Sequence, residues 1–283
     1  MRPPVKSVLP ALASVLPLLS LCATIFTDMD MDTCLPILML HDVGDERTEL
    51  ALAPGVFRSG LEGLARAGYH TVSLDDVAAW LHSGASLSKL AFAITFDDGS
   101  ASVYSRAFPI LQQYSFSATV FLTVGENTPT TSETRLPGRE GRTMLSWGEI
   151  REMQRHGIAF GAHTLTHPNL ARLPPDRAEA EMAQSQSVIA DALGVPVPTF
   201  AYPYGYYNDR TREIASRHFV CACSVRLGLV SAKSDPYALE RVDSGYLRTE
   251  RLFGLMPGPW FPWYVRVRGI PRRIRRLLRW RMG

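Results

Sequence analysis

The chain has 283 residues, of which 46% are hydrophobic and 20% charged, a composition typical of a globular protein. The length suits one large α/β domain or, as an alternative, two small ones. Its net charge of +3 includes eight arginines, and no acid, from Arg266 to the end, so the rest of the chain carries −5. A body of that sign argues against a nucleic-acid binder, and the four cysteines show neither zinc-site nor disulfide spacing.

The first thirty residues predict a leader segment. Arg2 and Lys6 precede an uncharged stretch from Ser7 to Thr27, which is typical of a signal peptide or a single membrane anchor over residues 1–30. The protein would then be exported or associated with the inner membrane. A translation start near Met31 would instead place it at the cytoplasmic face, and the sequence leaves both alternatives open.

Residues 31–250 alternate between strand-like and helix-like segments and are predicted to form one domain. Short apolar runs of the kind that buried parallel strands show occur at Pro36–Leu40, Tyr69–Val72, Leu90–Phe96, Ala118–Val124, Ile158–Ala162, Thr199–Tyr202, Phe219–Ser224 and Leu239–Val242. Helical spacing and capping residues predict helices at Val56–Ala67, Ser73–Leu81, Ala101–Tyr114, Ser146–His156, Pro175–Leu193 and Asp209–Arg217. Seven or eight such units over about 220 residues predict a closed or partly closed parallel barrel with helices outside.

Two segments of this domain depart from regular periodicity. Pro109 lies inside a helical pattern and predicts a kink or a break there. The stretch Gly125–Thr143 is polar, rich in Thr, Pro and Gly, and has no periodicity. A loop of that length in a compact domain predicts a lid or a substrate-facing excursion.

Residues 251–283 predict a tail that is separate from the chemistry. Leu252–Tyr264 is aromatic and apolar, and Arg272–Arg281 places three apolar residues on one helical face among arginines. This pattern suits a helix lying on an anionic membrane surface, a clamp on an anionic polymer, or a solvated basic tail.

Polar residues stand directly after four of the predicted strands. They are His41-Asp42, Asp97-Asp98, His163-x3-His167 and Pro203-Tyr204-Gly205. Because the C-terminal strand ends of a β/α barrel meet on one face, clusters far apart in sequence are expected to converge there. Each cluster alone has an ordinary alternative, since adjacent aspartates often cap a turn and paired histidines are often structural.

One aspartate and two histidines would make a three-ligand metal site. His163 and His167 are four residues apart, a spacing that brings both onto one helical face or into a tight turn. Three protein ligands leave coordination positions open for water and substrate. A hydrolytic metal needs such positions, because it generates the nucleophile and polarises the scissile carbonyl.

Three motifs together resemble a known family. The segments Thr95-Phe96-Asp97-Asp98-Gly99, His163-Thr164-Leu165-Thr166-His167 and Phe200-Ala201-Tyr202-Pro203-Tyr204-Gly205 are similar to the first three motifs of the NodB-type polysaccharide deacetylases, carbohydrate esterase family 4. The resemblance covers residues 35–245 in the right order and spacing. It implies a distorted (β/α)7 barrel, and a hydrolase of carbon–nitrogen bonds that removes N-acetyl groups from an amino-sugar polysaccharide or a lipid-linked oligosaccharide of the cell envelope.

The resemblance also implies a role for each matched residue. Asp97 would be the general base, and Asp98, His163 and His167 would hold one divalent metal ion. Zn²⁺ is the first choice for this ligand set, with Co, Ni, Fe or Mn also compatible. The backbone N–H of Tyr204 would stabilise the oxyanion.

The sequence departs from the usual family pattern at the proton donor. The family takes its acid from a late Leu-x-His motif, but no histidine follows His218, and the usual Arg before the third motif is absent. A permuted branch, similar to the poly-β-1,6-N-acetylglucosamine deacetylases, takes the acid from an N-terminal strand ending in Met-x-His. Met39-Leu40-His41 matches that element, so His41 is the predicted acid, with a structural strand-end histidine as the alternative. Arg241 matches the segment where this branch keeps an arginine, and is predicted to orient Asp97.

Two other functions remain compatible with the sequence. A deformylase or another amide hydrolase could use the same fold and site. A non-catalytic carbohydrate-binding scaffold would be expected to have lost a ligand or the base, and none is missing here.

Overall fold

Seven parallel strands close into a barrel in the part of the chain that the structure, a computed structural model, describes, namely residues 34–44, 50–139 and 141–270. The described residues contain ten strands in all, seven of them in the ring: β1 (Ile37–Leu40), β2 (Asp42–Val43), β3 (Ala51–Leu52), β4 (His70–Thr71), β5 (Ala91–Phe96), β6 (Thr119–Leu122), β7 (Ala159–Ala162), β8 (Thr199–Ala201), β9 (Cys221–Leu227) and β10 (Leu239–Asp243). The ring runs β1-β10-β9-β8-β7-β6-β5 and returns to β1. The predicted (β/α)7 barrel is confirmed.

Helices follow most strands and cover the outside of the ring. They are α1 (Pro54–Arg66), α2 (Leu74–Ser83), α3 (Phe108–Gln113), α4 (Trp147–Arg155), α5 (Pro175–Leu193), α6 (Asp209–His218) and α7 (Glu250–Phe253). Residues 261–270 are also helical. Side-chain caps begin several of them: Ser73 starts α2 and Ser146 starts α4, each through a capping box.

The N-terminal strand closes the ring. β1 pairs with β5 on one side, with Leu38 opposite Ile94, and with β10 on the other, with Leu38 opposite Val242. Both pairings are parallel, so the C-terminal ends of all seven strands lie on the same face of the barrel. The first strand of the domain therefore delivers the residues after Leu40 to the same face as the later strands.

Alternate strand residues divide between two buried clusters. Leu38 and Phe92 belong to a large cluster that includes the inner faces of most helices, whereas Ile37 and Ala93 belong to a smaller cluster that strand residues share with the start of α2. The smaller cluster also takes Phe121, Ala201, Cys221 and Cys223. The period of two is that of a barrel whose strands are buried on both faces.

Two predicted segments differ in detail from the observed ones. The predicted strand Tyr69–Val72 is only β4, which pairs with the first residues of β5 and stays outside the closed ring. Ser73 already caps α2, which leaves only a short extended segment before it. The predicted helix Ala101–Tyr114 is divided into a π-helical turn, Val103–Ala107, and α3. Pro109 stands in the first turn of α3, where its missing N–H costs no hydrogen bond.

The segment after α7 packs onto the barrel. Phe253, Phe261 and Val265 are buried, and the Tyr264 hydroxyl donates to the Tyr246 carbonyl at 2.6 Å. Residues 271–283, which carry most of the arginines of the predicted tail, lie outside the described residues, as does the predicted leader 1–30. Within the described ranges, no helix combines the length and apolar character needed to cross a membrane.

Candidate active site

The predicted site residues converge on the C-terminal face of the barrel. Asp97 and Asp98 follow β5, His163 follows β7, and Tyr204 lies in the turn after β8. Six non-glycine residues of the described chain have positive φ, and four belong to this face: Asp98, Thr164, His167 and Tyr204. Left-handed backbone at such residues is strained and persists only where its surroundings fix it. The strain therefore marks the turns that aim these side chains.

Asp98, His163 and His167 form a compact, buried ligand cluster. One ligand atom from each lies within 4.8 Å of the others. The Asp98 Oδ1 atom is 3.6 Å from Nε2 of His163 and 3.3 Å from Nε2 of His167, and the two Nε2 atoms are 3.1 Å apart. An oxygen and two imidazole nitrogens facing one point are a donor set that suits a divalent metal ion.

The second nitrogen of His163 fixes the direction of the first. Nδ1 donates to the Ala201 carbonyl at 2.7 Å, which leaves Nε2 with its lone pair facing the other two ligand atoms. Burial lowers the pKa of His163 to about 4, so the ring is neutral at neutral pH. Neutral imidazole is the form that binds a metal.

Asp98 is held as a carboxylate by its neighbours. Burial by itself would raise the pKa of Asp98, but the hydrogen bond to His167, the charges of His163 and His41, and the Arg142 contact together hold that pKa well below its usual range. The Nη2 atom of Arg142 lies 2.5 Å from Asp98 Oδ2. Because Oδ2 is occupied in this way, Oδ1 faces the two histidines.

Arg142 also ties the cluster to the end of β1. Its Nη1 donates to Asp42 Oδ2 at 3.0 Å, and Asp42 accepts hydrogen bonds from Ser100 and Ser102 as well. This network connects the segment after His41 with the Asp98 carboxylate. Arg142 belongs to the long polar loop that follows β6.

A second arginine of the same loop contacts His167. Arg139 Nη2 donates to Nδ1 of His167 at 2.8 Å, and its Nε lies 3.7 Å from Asp98 Oδ1. A guanidinium can only donate, so Nδ1 accepts here. When Nε2 of a neutral His167 binds a metal, the ring proton is on Nδ1. The Nδ1–H group and the Arg139 guanidinium would then both be donors, and no hydrogen bond could form between them. The Arg139 contact and metal binding at Nε2 are therefore incompatible.

Asp97 is paired with Arg241 inside the barrel. The guanidinium makes two bonds of 2.7 Å to the two carboxylate oxygens, and its Nε donates to the Ser224 carbonyl at 2.9 Å. Arg241 is 1% exposed. Burial would raise the pKa of Asp97, but the charge and hydrogen bonds of Arg241 lower it below its usual range. Asp97 is therefore ionised at neutral pH and able to accept a proton.

His41 and Tyr204 stand at the edge of the cluster. The half-buried His41 follows β1 and is close enough for its charge to lower the pKa values of both Asp97 and Asp98. The Tyr204 ring meets the His167 ring edge-on at 4.5 Å between centroids and is 53% exposed. Gly205 follows with φ 68°, and a Cβ there would collide with Val225, so the turn after β8 requires glycine.

Sequence reasoning missed three residues that touch the predicted ligands or their turn. They are Arg139, Arg142 and Glu181. The prediction that Gly125–Thr143 faces the site was the one signal that pointed to the first two. No spacing or motif distinguishes these arginines from the others in the chain, and Glu181 lies in an ordinary amphipathic helix.

The comparisons with known proteins agree with this fold. A family model described as polysaccharide deacetylase matches residues 85–220. The Bacillus subtilis protein YxkH, named as a polysaccharide deacetylase, is 28% identical over 212 residues, 74% of this chain and 70% of that protein. A poly-β-1,6-N-acetyl-D-glucosamine N-deacetylase of Staphylococcus aureus is 30% identical over 159 residues, 53% of this chain and 52% of that protein. The chain therefore spans about half of that enzyme, and only 20% of the Escherichia coli relative of the same name.

A solved structure extends this likeness to the backbone. The Streptococcus pyogenes deacetylase PplD, in complex with acetate, is 29% identical and superimposes with a TM-score of 0.67, covering 75% of this chain and 92% of that one. The similarity thus includes nearly the whole of a deacetylase domain.

Proposed function

The chain carries a polysaccharide deacetylase domain of the NodB type, and on that premise we propose that it is a metal-dependent hydrolase that removes N-acetyl groups from an amino-sugar polysaccharide or a lipid-linked oligosaccharide. One observation carries the proposal. The Asp98, His163 and His167 ligand atoms face one point, and Asp97 stands beside them as an ionised carboxylate.

The residues divide the work of amide hydrolysis among them. Asp98, His163 and His167 would hold the metal, which when bound polarises the acetamide carbonyl and activates a water molecule. Asp97 accepts a proton from the attacking water molecule while the water oxygen forms a bond to the carbonyl carbon. The backbone N–H of Tyr204 donates to the oxyanion. His41 then gives a proton to the leaving nitrogen as the C–N bond breaks, and the products are acetate and a free amine.

Two observations support the details of this assignment. The ring is closed by β1, which brings His41 to the face that holds Asp97, as expected for a donor from an N-terminal strand. The S. aureus relative is named for poly-β-1,6-N-acetyl-D-glucosamine, which favours an acetylated glucosamine polymer as substrate. The donor set fits Zn²⁺ first, with Co, Ni, Fe or Mn as alternatives. Export, and contact of the Arg-rich tail with an anionic membrane, stay predictions.

The test is acetate release from N-acetylglucosamine oligomers by the full chain. We expect a chelator to abolish release and Zn²⁺ to restore it, and Asp97→Asn to lower the rate by about 10²- to 10⁴-fold. Asp191→Asn, an exposed acid of α5, is the matched control and should leave the rate unchanged. Release of formate instead of acetate would indicate a deformylase. Full activity after loss of both His163 and His167 would refute the metal site.

A further inference from the structure

The turn that carries the two histidine ligands is strained and buried. Thr164 has φ 69° and His167 has φ 60°, conformations that side chains with a Cβ adopt rarely. Thr164 is fully buried, and Leu165 is 7% exposed. A turn of this kind keeps its shape only if contacts from outside it fix the backbone.

A side chain outside the turn supplies three of these contacts, in addition to the Thr123 hydroxyl, which donates to the His163 carbonyl, and the Gly125 N–H, which donates to the Leu165 carbonyl. Glu181 lies in α5 and is 6% exposed. Its Oε2 accepts the backbone N–H of Leu165 at 2.9 Å and that of Thr166 at 3.0 Å, and its Oε1 accepts the Thr166 hydroxyl at 2.7 Å. All three donors belong to the segment between His163 and His167.

These contacts explain why a carboxyl group is buried in an otherwise amphipathic helix. Burying a carboxyl group that has no hydrogen-bond partners costs free energy, and hydrogen bonds from well-placed donors offset that cost. The nearby acid of the same helix, Glu179, behaves differently: it pairs with Arg217 and His218 at the protein surface. Glu181 therefore makes its hydrogen bonds to the His163–His167 turn and not to partners at the protein surface.

We propose that Glu181 is a positioning residue for the metal site, which holds the His163–His167 turn in the shape that points both Nε2 atoms at Asp98. It acts through the backbone of Leu165 and Thr166 and is not itself among the three ligand residues. This inference rests on the proposed function, because it assigns Glu181 a role in the metal affinity of that same site. Residues that orient metal ligands are a recognised determinant of metal affinity.

The experiment measures Zn²⁺ affinity of the full chain by competition with a chromogenic chelator. Glu181→Ala should weaken binding by about 10- to 100-fold. Glu181→Gln keeps an oxygen that can accept both N–H groups and should retain most of the affinity. Glu181→Asp keeps the charge but is too short to reach the turn, and should lose affinity like the alanine variant. Glu179→Ala removes the same charge from the same helix and should bind Zn²⁺ as the wild type does.

A second readout needs no metal. In the wild-type protein the Leu165 and Thr166 amides should exchange slowly with deuterium, and Glu181→Ala or Glu181→Asp should speed that exchange. If Glu181→Ala does not fold, Glu181→Asp carries the test. Wild-type affinity in Glu181→Asp would overturn this inference alone. A wild-type chain that binds no Zn²⁺ would overturn both this inference and the proposed function.

Discussion

The pairing of Asp97 with Arg241 determines the protonation state of this carboxyl group, the proposed general base. Two opposing effects act on this carboxyl group: burial raises its pKa, and the guanidinium, through its charge and two hydrogen bonds, lowers it. The guanidinium prevails, so the carboxylate form persists below the usual titration range of aspartate. Because the pKa of Asp97 is lower in the folded than in the unfolded protein, its ionisation stabilises the fold. That contribution to the free energy of unfolding is present above the unfolded-state pKa and is lost as the pH falls through the lower folded-state pKa.

Removal of Arg241 should therefore alter the pH dependence of the reaction. In Arg241→Gln the effect of burial on Asp97 is opposed only by the smaller effects of His163 and His41. The pKa of Asp97 therefore rises, and the acidic limb of the kcat/KM profile moves to higher pH. Breaking a buried pair also destabilises the fold by about 3–5 kcal/mol, so the profile is measured well below the unfolding temperature. Arg241→Lys keeps the charge and should shift the limb less.

The double variant Asp97→Asn/Arg241→Gln checks the stability cost. It leaves no uncompensated buried charge and should unfold at a higher temperature than Arg241→Gln alone. An acidic limb that stays at its wild-type position in Arg241→Gln would show that Arg241 does not set the pKa of the base.

The loop between β6 and α4 contacts the ligand cluster through its side chains. It carries two arginines with opposite relations to a metal ion. Arg142 donates to Asp98 Oδ2, the oxygen that faces away from the histidines. Arg139 donates to Nδ1 of His167 and lies near Asp98 Oδ1, the oxygen that faces the histidines. The first contact is compatible with metal binding and the second competes with it.

The two arginines should consequently change metal affinity in opposite directions. We expect Arg142→Gln to weaken Zn²⁺ binding by about 10- to 100-fold, because it removes a group that orients a ligand. Arg139→Gln should strengthen binding, since it removes a donor from His167 Nδ1 and a positive charge from the site. Chelator competition on both variants measures the two effects side by side. Weaker binding in Arg139→Gln would contradict the proposed competition.

At the scale of the whole molecule, the ligand cluster links separate parts of the barrel. Asp98 follows β5, whereas His163 and His167 follow β7, and the three meet because β6 pairs with both of these strands. An unfolded chain does not hold them together, so a metal that binds this cluster binds the folded state preferentially and stabilises it.

Zn²⁺ should accordingly raise the unfolding temperature of the whole domain. At a free Zn²⁺ concentration 100 times Kd the stabilisation is about 2.7 kcal/mol, which corresponds to a rise in Tm of roughly 5–10 °C for a domain of this size. Differential scanning calorimetry with and without Zn²⁺ measures it. The variant lacking both His163 and His167 should show no rise, and an equal rise in that variant would place the Zn²⁺ elsewhere.

Much of this arrangement could be predicted from the sequence, because it depends on short segments. Apolar runs indicated the seven strands of the ring, Pro109 indicated the break before α3, and polar residues placed directly after strands indicated Asp97, Asp98 and His163. The predicted positions agree with the structure because a buried parallel strand needs a continuous apolar run, and because parallel strands bring their C-terminal ends to one face. The roles of these residues stay predictions.

Only the tertiary structure decided the contacts that hold the site. That the strand after α1 stays outside the ring depends on pairing along β5, and no local pattern specifies it. Arg139, Arg142 and Glu181 reach the ligands from a loop and a helix whose own sequences suit many positions. A strand or a turn is determined by neighbouring residues, whereas these contacts join different elements of the fold and form only when those elements pack together.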